Sequence, residues 1–147
     1  MADFRDKPLF VTFFYTRCDN PHKCHTTLQR VRDLETDLIA DGLADKVRVV
    51  VVTFDPSFDD LPRLARFAQQ REFVEEGPVL FARPQAVGLE ALIRDHSLPV
   101  ALDRGAVTTH GGLSLLLDKQ GKVCRTYHGF RWDVVLVRSD LARLTAE

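Results

Sequence analysis

Along this chain the apolar positions switch between the spacing of buried strands and that of helices. From Leu9 to Tyr15 (LFVTFFY) nearly every residue is apolar, aromatic or β-branched, the run expected of a strand covered on both faces. After a polar stretch containing Pro21, apolar residues fall at Leu28, Val31, Leu34, Leu38 and Ile39, a helical spacing that Asp41-Gly42 brings to a stop. Val47 to Phe54 (VRVVVVTF) predicts a second buried strand. It ends at Asp55-Pro56, because the residue before proline resists helix and proline cannot donate to a ladder. Leu61, Leu64, Ala65 and Ala68 predict a second helix running to about Glu76, with Pro62 in the first turn where a missing N–H costs little.

Past Gly77-Pro78, Val79 to Phe81 predicts a short strand and Gln85 to Arg94 a third helix, weakened by Gly88. Ser97 to Thr109 reads as loop. Leu113 to Leu117 and Lys122 to His128 flank Asp118-Lys119-Gln120-Gly121, turn chemistry that joins two antiparallel strands. Val134, Val137, Leu141 and Leu144 share one face of a closing helix that starts near Trp132. Alternation first and a hairpin last imply an α/β fold, a mixed central sheet with helices on both faces. No repeat, low-complexity tract or linker interrupts the order, so residues 1–147 read as a single domain.

Composition narrows the function classes. A chain of 147 residues that is 45% hydrophobic can bury a proper core without metal or disulfide staples. Its 20 Lys plus Arg against 21 Asp plus Glu leave a formal charge of -1, so no basic field recruits nucleic acid or an anionic membrane. Apolar runs such as Val49 to Val52 are far shorter than the roughly 20 residues that span a bilayer. The first residues carry charges of both signs and lack a signal peptide's apolar stretch. The expectation is either a cytoplasmic protein or a piece of a longer exported one.

Three cysteines are too few for a disulfide scaffold and suggest a pair plus a bystander. Cys18 follows the first strand directly and Cys24 sits where the first helix begins, at the carboxyl end of the sheet where open α/β folds bind ligands. A helix N-terminus favours thiolate over thiol, which suits a nucleophile or a metal ligand. Cys124, in a strand after the hairpin turn, is expected to be a small buried hydrophobe. His96 and His128 have no companion at metal-ligand spacing. Asp55, Asp59 and Asp60 are expected to cap the turn and the second helix, and Arg63, Arg66 and Arg71 to form its solvated face.

Thr12-Phe13-Phe14-Tyr15-Thr16-Arg17-Cys18, with Cys24 following, resembles the strand and cysteine loop of the Sco/SenC copper-chaperone family. Val51-Val52-Thr53-Phe54-Asp55-Pro56, with Asp59 and Asp60 after it, is similar to that family's second-strand segment. His110, ahead of Leu115-Leu116-Leu117-Asp118-Lys119-Gln120-Gly121-Lys122, falls where the family places its metal-binding histidine. The resemblance implies a thioredoxin-like fold and a copper site, Cu(I) or Cu(II), formed by Cys18, Cys24 and His110. It also implies a family hairpin and membrane anchor outside this chain, and a location that is periplasmic or membrane-anchored facing the periplasm. Soft thiolates select Cu(I), and an imidazole helps hold Cu(II). This chain departs from the family in the cysteine loop as well: five residues, Asp19 to Lys23, separate the cysteines where the family has three. Two extra residues add well under about 1 kcal/mol of closure entropy, so a shared metal or disulfide stays within reach.

Three functions follow. The first is a copper-binding chaperone or thiol-disulfide protein that assists assembly of a copper centre such as CuA of cytochrome c oxidase, its partner a copper-enzyme subunit or a thiol-disulfide protein. The second is a metal-independent thiol-disulfide oxidoreductase or thiol peroxidase, in which Cys18 attacks and Cys24 resolves and His110 is dispensable. The third is a structural zinc loop of Cys18, Cys24 and His22 or His25.

Overall fold

The computed structural model describes residues 4, 6–104 and 106–147; residues 1–3 and 5 of the charged N-terminal stretch, and residue 105, lie outside the described set. In chain order the elements are β1 (Leu9–Phe14), α1 (Cys24–Ala40), β2 (Arg48–Thr53), α2 (Leu61–Gln70), β3 (Val79–Ala82), α3 (Ala86–His96), β4 (Val100–Asp103), β5 (Ala106–His110), β6 (Leu113–Leu117), β7 (Val123–His128) and α4 (Val134–Ala146). Five strands make a mixed sheet in the order β3-β2-β1-β6-β7, with β1 parallel to β2 and antiparallel to β6. The first strand, whose apolar run predicts cover on both faces, is the central one of the five.

Successive side chains of a strand point to opposite faces, and the apolar runs of β1 and β2 feed two cores at once. Phe10 and Phe14 of β1 with Val49 and Val51 of β2 pack under Leu28, Val31, Leu34 and Leu38 of α1 and Val137, Leu141 and Leu144 of α4. Phe13, Val50 and Val52 point the other way, toward Leu89 of α3 and Leu113 and Leu115 of β6. Phe10 meets Trp132 edge-on at 4.8 Å and Tyr127 at 5.8 Å, which ties the closing helix to the central strand.

Two expectations are corrected. The stretch Ser97 to Thr109 is not all loop: β4 and β5 form a separate two-stranded antiparallel sheet, with a register shift between Ala101 and Leu102. Its residues are mostly exposed, so no burial alternation marks it in the sequence. The second helix stops at Gln70 rather than near Glu76. Glu72 adopts a left-handed φ of 58°, and the Val74 N–H donates to the buried carboxylate of Glu35 at 3.3 Å. Phe73 is thereby turned onto Phe81, with the rings 5.0 Å apart. The third helix forms despite Gly88, where open space surrounds the position a Cβ would take.

Candidate metal centre

The site is built where three elements meet. Cys18 lies in the loop after β1, Cys24 is the first residue of α1, and His110 is the last residue of β5. His110 Nε2 is 3.5 Å from Cys18 Sγ and 3.7 Å from Cys24 Sγ, and the three donor atoms lie within 4.8 Å of one another. Among the described residues this is the one group of three or more such side chains placed to hold a metal ion. Both cysteines are free thiols; Cys24 is buried and Cys18 half-buried.

The longer loop is absorbed by local turns. Cys18 N–H donates to Tyr15 O at 3.2 Å, Lys23 N–H to Asn20 O at 3.2 Å, and Thr27 N–H to Lys23 O at 3.1 Å, so the chain doubles back before the helix starts. The five intervening residues therefore do not hold the sulfurs apart.

Two buried carboxylates pin the residues just before Cys18. Asp59, fully buried, accepts from the backbone N–H of Thr16 at 3.1 Å and from the hydroxyls of Thr16 and Thr53. Asp55, 1% exposed, accepts from Arg17 Nε at 3.0 Å and pairs with the same guanidinium through Nη2. Arg17 also lies 4.1 Å over the Phe58 ring. The capping expectation thus holds for Asp60, which accepts from Arg63 N–H at the start of α2, and is corrected for Asp55 and Asp59. Nothing in the sequence distinguishes a capping carboxylate from one that reaches 43 residues back to the cysteine loop.

His110 is held by aromatic rings and by close backbone approach. Tyr15 and Phe130 meet its ring edge-on, at 5.3 and 5.5 Å, and Phe54 lies 5.8 Å away. Its Nδ1 faces Gly111 O at 3.4 Å, an arrangement that suits a proton on Nδ1 and leaves the Nε2 lone pair toward the sulfurs. Behind it, a Cβ on Gly112 would sit 2.3 Å from Gly129 C, so glycine is required for β5 to turn into β6 against the β7 end.

Burial reshapes the protonation expected from position. Although Cys24 opens α1, burial pushes its thiol well above the ordinary value, and the neighbouring Cys18 adds to the shift. The helix N-terminus alone would have predicted the opposite. Burial also pulls His110 below the ordinary imidazole value, helped by the Lys23 charge and opposed by the Gly111 carbonyl. Its ring is neutral at pH 7 and able to donate a lone pair. Burial raises Tyr15, and the two nearby cysteines add to this.

The other histidines stay away from the sulfurs. His22 is exposed, its backbone N–H donating to Asn20 Oδ1 at 2.9 Å, and the exposed His25 turns Nδ1 toward Arg71 Nη1 at 3.5 Å. His128 is exposed and His96 half-buried, on elements apart from the pair. Cys124 is exposed rather than buried: it lies at the β-bulge where the register of β7 against β6 slips between Leu116 and Leu117, and its thiol lies 3.3 Å from Leu116 O. Arg71 is the C-cap of α2, with its guanidinium over Phe67, and Arg63 lies over Phe58; these two are ordered by aromatic rings rather than simply solvated.

A sequence search of curated proteins finds no match. Solved structures share the fold. A SCO1/SenC family lipoprotein from Bacillus anthracis aligns with a TM-score of 0.81 at 23% identity, covering 99% of this chain and 85% of that one. BsSco, a member of the Sco family of cytochrome c oxidase assembly proteins described for its disulfide switch, aligns at 0.79 with 19% identity, covering 99% and 84%. Arabidopsis thaliana ScoI with copper bound aligns at 0.75 with 14% identity, covering 99% and 87%. Among the described residues no helix is long and apolar enough to cross a membrane. The family model for SCO1/SenC matches residues 1–145, essentially the whole chain, and with the thioredoxin-like α/β fold and the cysteine-histidine cluster already in place, this chain belongs to the SCO1/SenC family, whose members are copper-binding cytochrome c oxidase assembly proteins.

Proposed function

We propose that this chain carries copper on Cys18, Cys24 and His110 and delivers it, or exchanges disulfides through the same two thiols, during assembly of a copper centre such as CuA of cytochrome c oxidase. The observation that carries the reading is the convergence of two sulfurs and one imidazole nitrogen within 4.8 Å. The donor set suits the cargo: two thiolates satisfy soft Cu(I), and the neutral imidazole adds a ligand that Cu(II) favours. Copper binding must displace the Cys24 proton, because burial keeps that thiol protonated. Cys18 is the more accessible sulfur and the first to meet a partner, either a copper-enzyme subunit or a thiol-disulfide protein. The lipoprotein relative supports work at the periplasmic face of a membrane.

The test is an anaerobic titration of reduced protein with Cu(I) against a competing chelator. Wild type should bind one ion tightly, His110→Ala more weakly, and Cys18→Ser/Cys24→Ser hardly at all. Equal affinity in wild type and the double-cysteine variant would sink the copper reading. Wild-type turnover of a disulfide or peroxide substrate, undiminished in His110→Ala, would favour the metal-independent oxidoreductase instead.

A further inference from the structure

His110 and the two cysteines reach the site from parts of the chain 86 to 92 residues apart. The cysteines are anchored to the main sheet and α1. His110, however, ends a strand that pairs only with β4 in the small sheet, outside the five-stranded ladder. Its carboxyl end is tied to the main sheet through the two-residue Gly111-Gly112 link into β6, where Gly129 N–H donates to Gly112 O at 2.9 Å. What that link does not supply is a bond from His110 itself to the start of α1.

Lys23 makes that connection. Its main chain is fixed at the start of α1, donating to Asn20 O at 3.2 Å and accepting from Thr27 N–H at 3.1 Å. Its half-buried side chain crosses the site, and the ammonium donates to the backbone carbonyl of His110 at 3.0 Å. The same ammonium lies 6.0 Å from the Phe130 ring, which in turn packs edge-on against the His110 imidazole at 5.5 Å. One side chain thus links the helix that bears Cys24, the strand that bears His110 and the aromatic wall behind it. Lys23 occupies the last position of the five-residue loop, directly before Cys24.

Resting on the copper-site reading above, we infer that Lys23 is a positioning residue: it latches the His110 carbonyl to the start of α1 and so sets how well the imidazole engages a metal held by the two sulfurs. The two copper oxidation states should feel the latch differently. Two thiolates already satisfy Cu(I), whereas Cu(II) depends on the nitrogen donor. Loss of the latch should therefore weaken Cu(II) selectively, while an arginine at the same position, which still donates to a carbonyl, should preserve it.

Two measurements on the full chain, with Lys23→Met and Lys23→Arg, test this. In the metal-free reduced protein, NMR contacts between the His110 ring and the rings of Tyr15 and Phe130 should weaken in Lys23→Met and persist in Lys23→Arg. With copper, competition titrations under anaerobic conditions should show Cu(II) affinity about tenfold lower in Lys23→Met with Cu(I) affinity within about threefold of wild type, consistent with the ligand preferences of the two ions. Tenfold selective loss of Cu(II) corresponds to a bound-copper potential about 59 mV higher. Unchanged ring contacts in Lys23→Met, or equal losses for both oxidation states, would overturn the latch. Failure of the copper reading shows itself separately, as a wild type that binds no better than Cys18→Ser/Cys24→Ser. The ring contacts in metal-free protein then still decide whether Lys23 holds His110.

Discussion

Replacing Asp59 probes how the cysteine loop is held. Its carboxylate accepts three hydrogen bonds, two from Thr16 and one from Thr53, with no solvent exposure. Hydrogen bonds to a charged group contribute about 1.5–3 kcal/mol each, so the three bonds sum to roughly 5–9 kcal/mol. Deleting the carboxylate also removes its burial penalty of several kcal/mol, which leaves a net loss of about 3 kcal/mol for Asp59→Ala. Asp59→Asn keeps one acceptor oxygen for the Thr16 N–H and Thr53, and the Thr16 hydroxyl can rotate to accept from the amide. Its loss should be about 1 kcal/mol, the charge-assisted part of the bonds. Urea unfolding of reduced, metal-free protein reads the difference. With a slope of about 2 kcal/mol per molar, the midpoint should fall by about 1.5 M for Asp59→Ala and about 0.5 M for Asp59→Asn. A fall below about 0.5 M for the alanine variant would refute the reasoning, because it would mean that the burial penalty cancels the bonds and that Asp59 does not secure the residues before Cys18.

Three further outcomes follow from the structure. Gly112→Ala places a methyl 2.3 Å from Gly129 backbone and should destabilise by about 2 kcal/mol or more and shift the His110 resonances, whereas Gly88→Ala, facing open space within α3, should stabilise by about 0.5–1 kcal/mol; paired denaturation curves settle both signs. The raised thiol of Cys24 predicts a loss of stability in alkali: above about pH 8.5 the unfolded chain releases a proton that the folded chain keeps, so the native state is disfavoured as pH climbs. Unfolding midpoints of reduced protein at pH 7.5 and 9.5 should diverge more in wild type than in Cys24→Ser; equal slopes would contradict the assignment.

The local signals in this chain mark most of its elements. The unbroken apolar runs of β1 and β2, the helical spacing from Leu28 to Leu38 and the Asp-Lys-Gln-Gly turn each report a period or a backbone preference set by neighbours in sequence. The end of α2 and the β4–β5 sheet escaped this reading. The first is decided by Glu35, which reaches across from α1, and the second by backbone pairing between exposed strands that bury too little to leave a pattern. The candidate site divides in the same way. Cys18 and Cys24 are visible as a pair beside a strand-to-helix turn, and His110 joins them on the sequence level only through family resemblance. That His110 Nε2 faces both sulfurs while the exposed His22 and His25 stay outside the cluster is a matter of how the small sheet lies against the cysteine loop. The sequence determined which side chains have the chemistry for a copper site. Tertiary structure alone decided that Asp55 and Asp59 anchor the loop, that Lys23 spans it, and that burial outweighs the helix N-terminus at Cys24, because hydrogen bonding, distance and desolvation depend on neighbours far away along the chain.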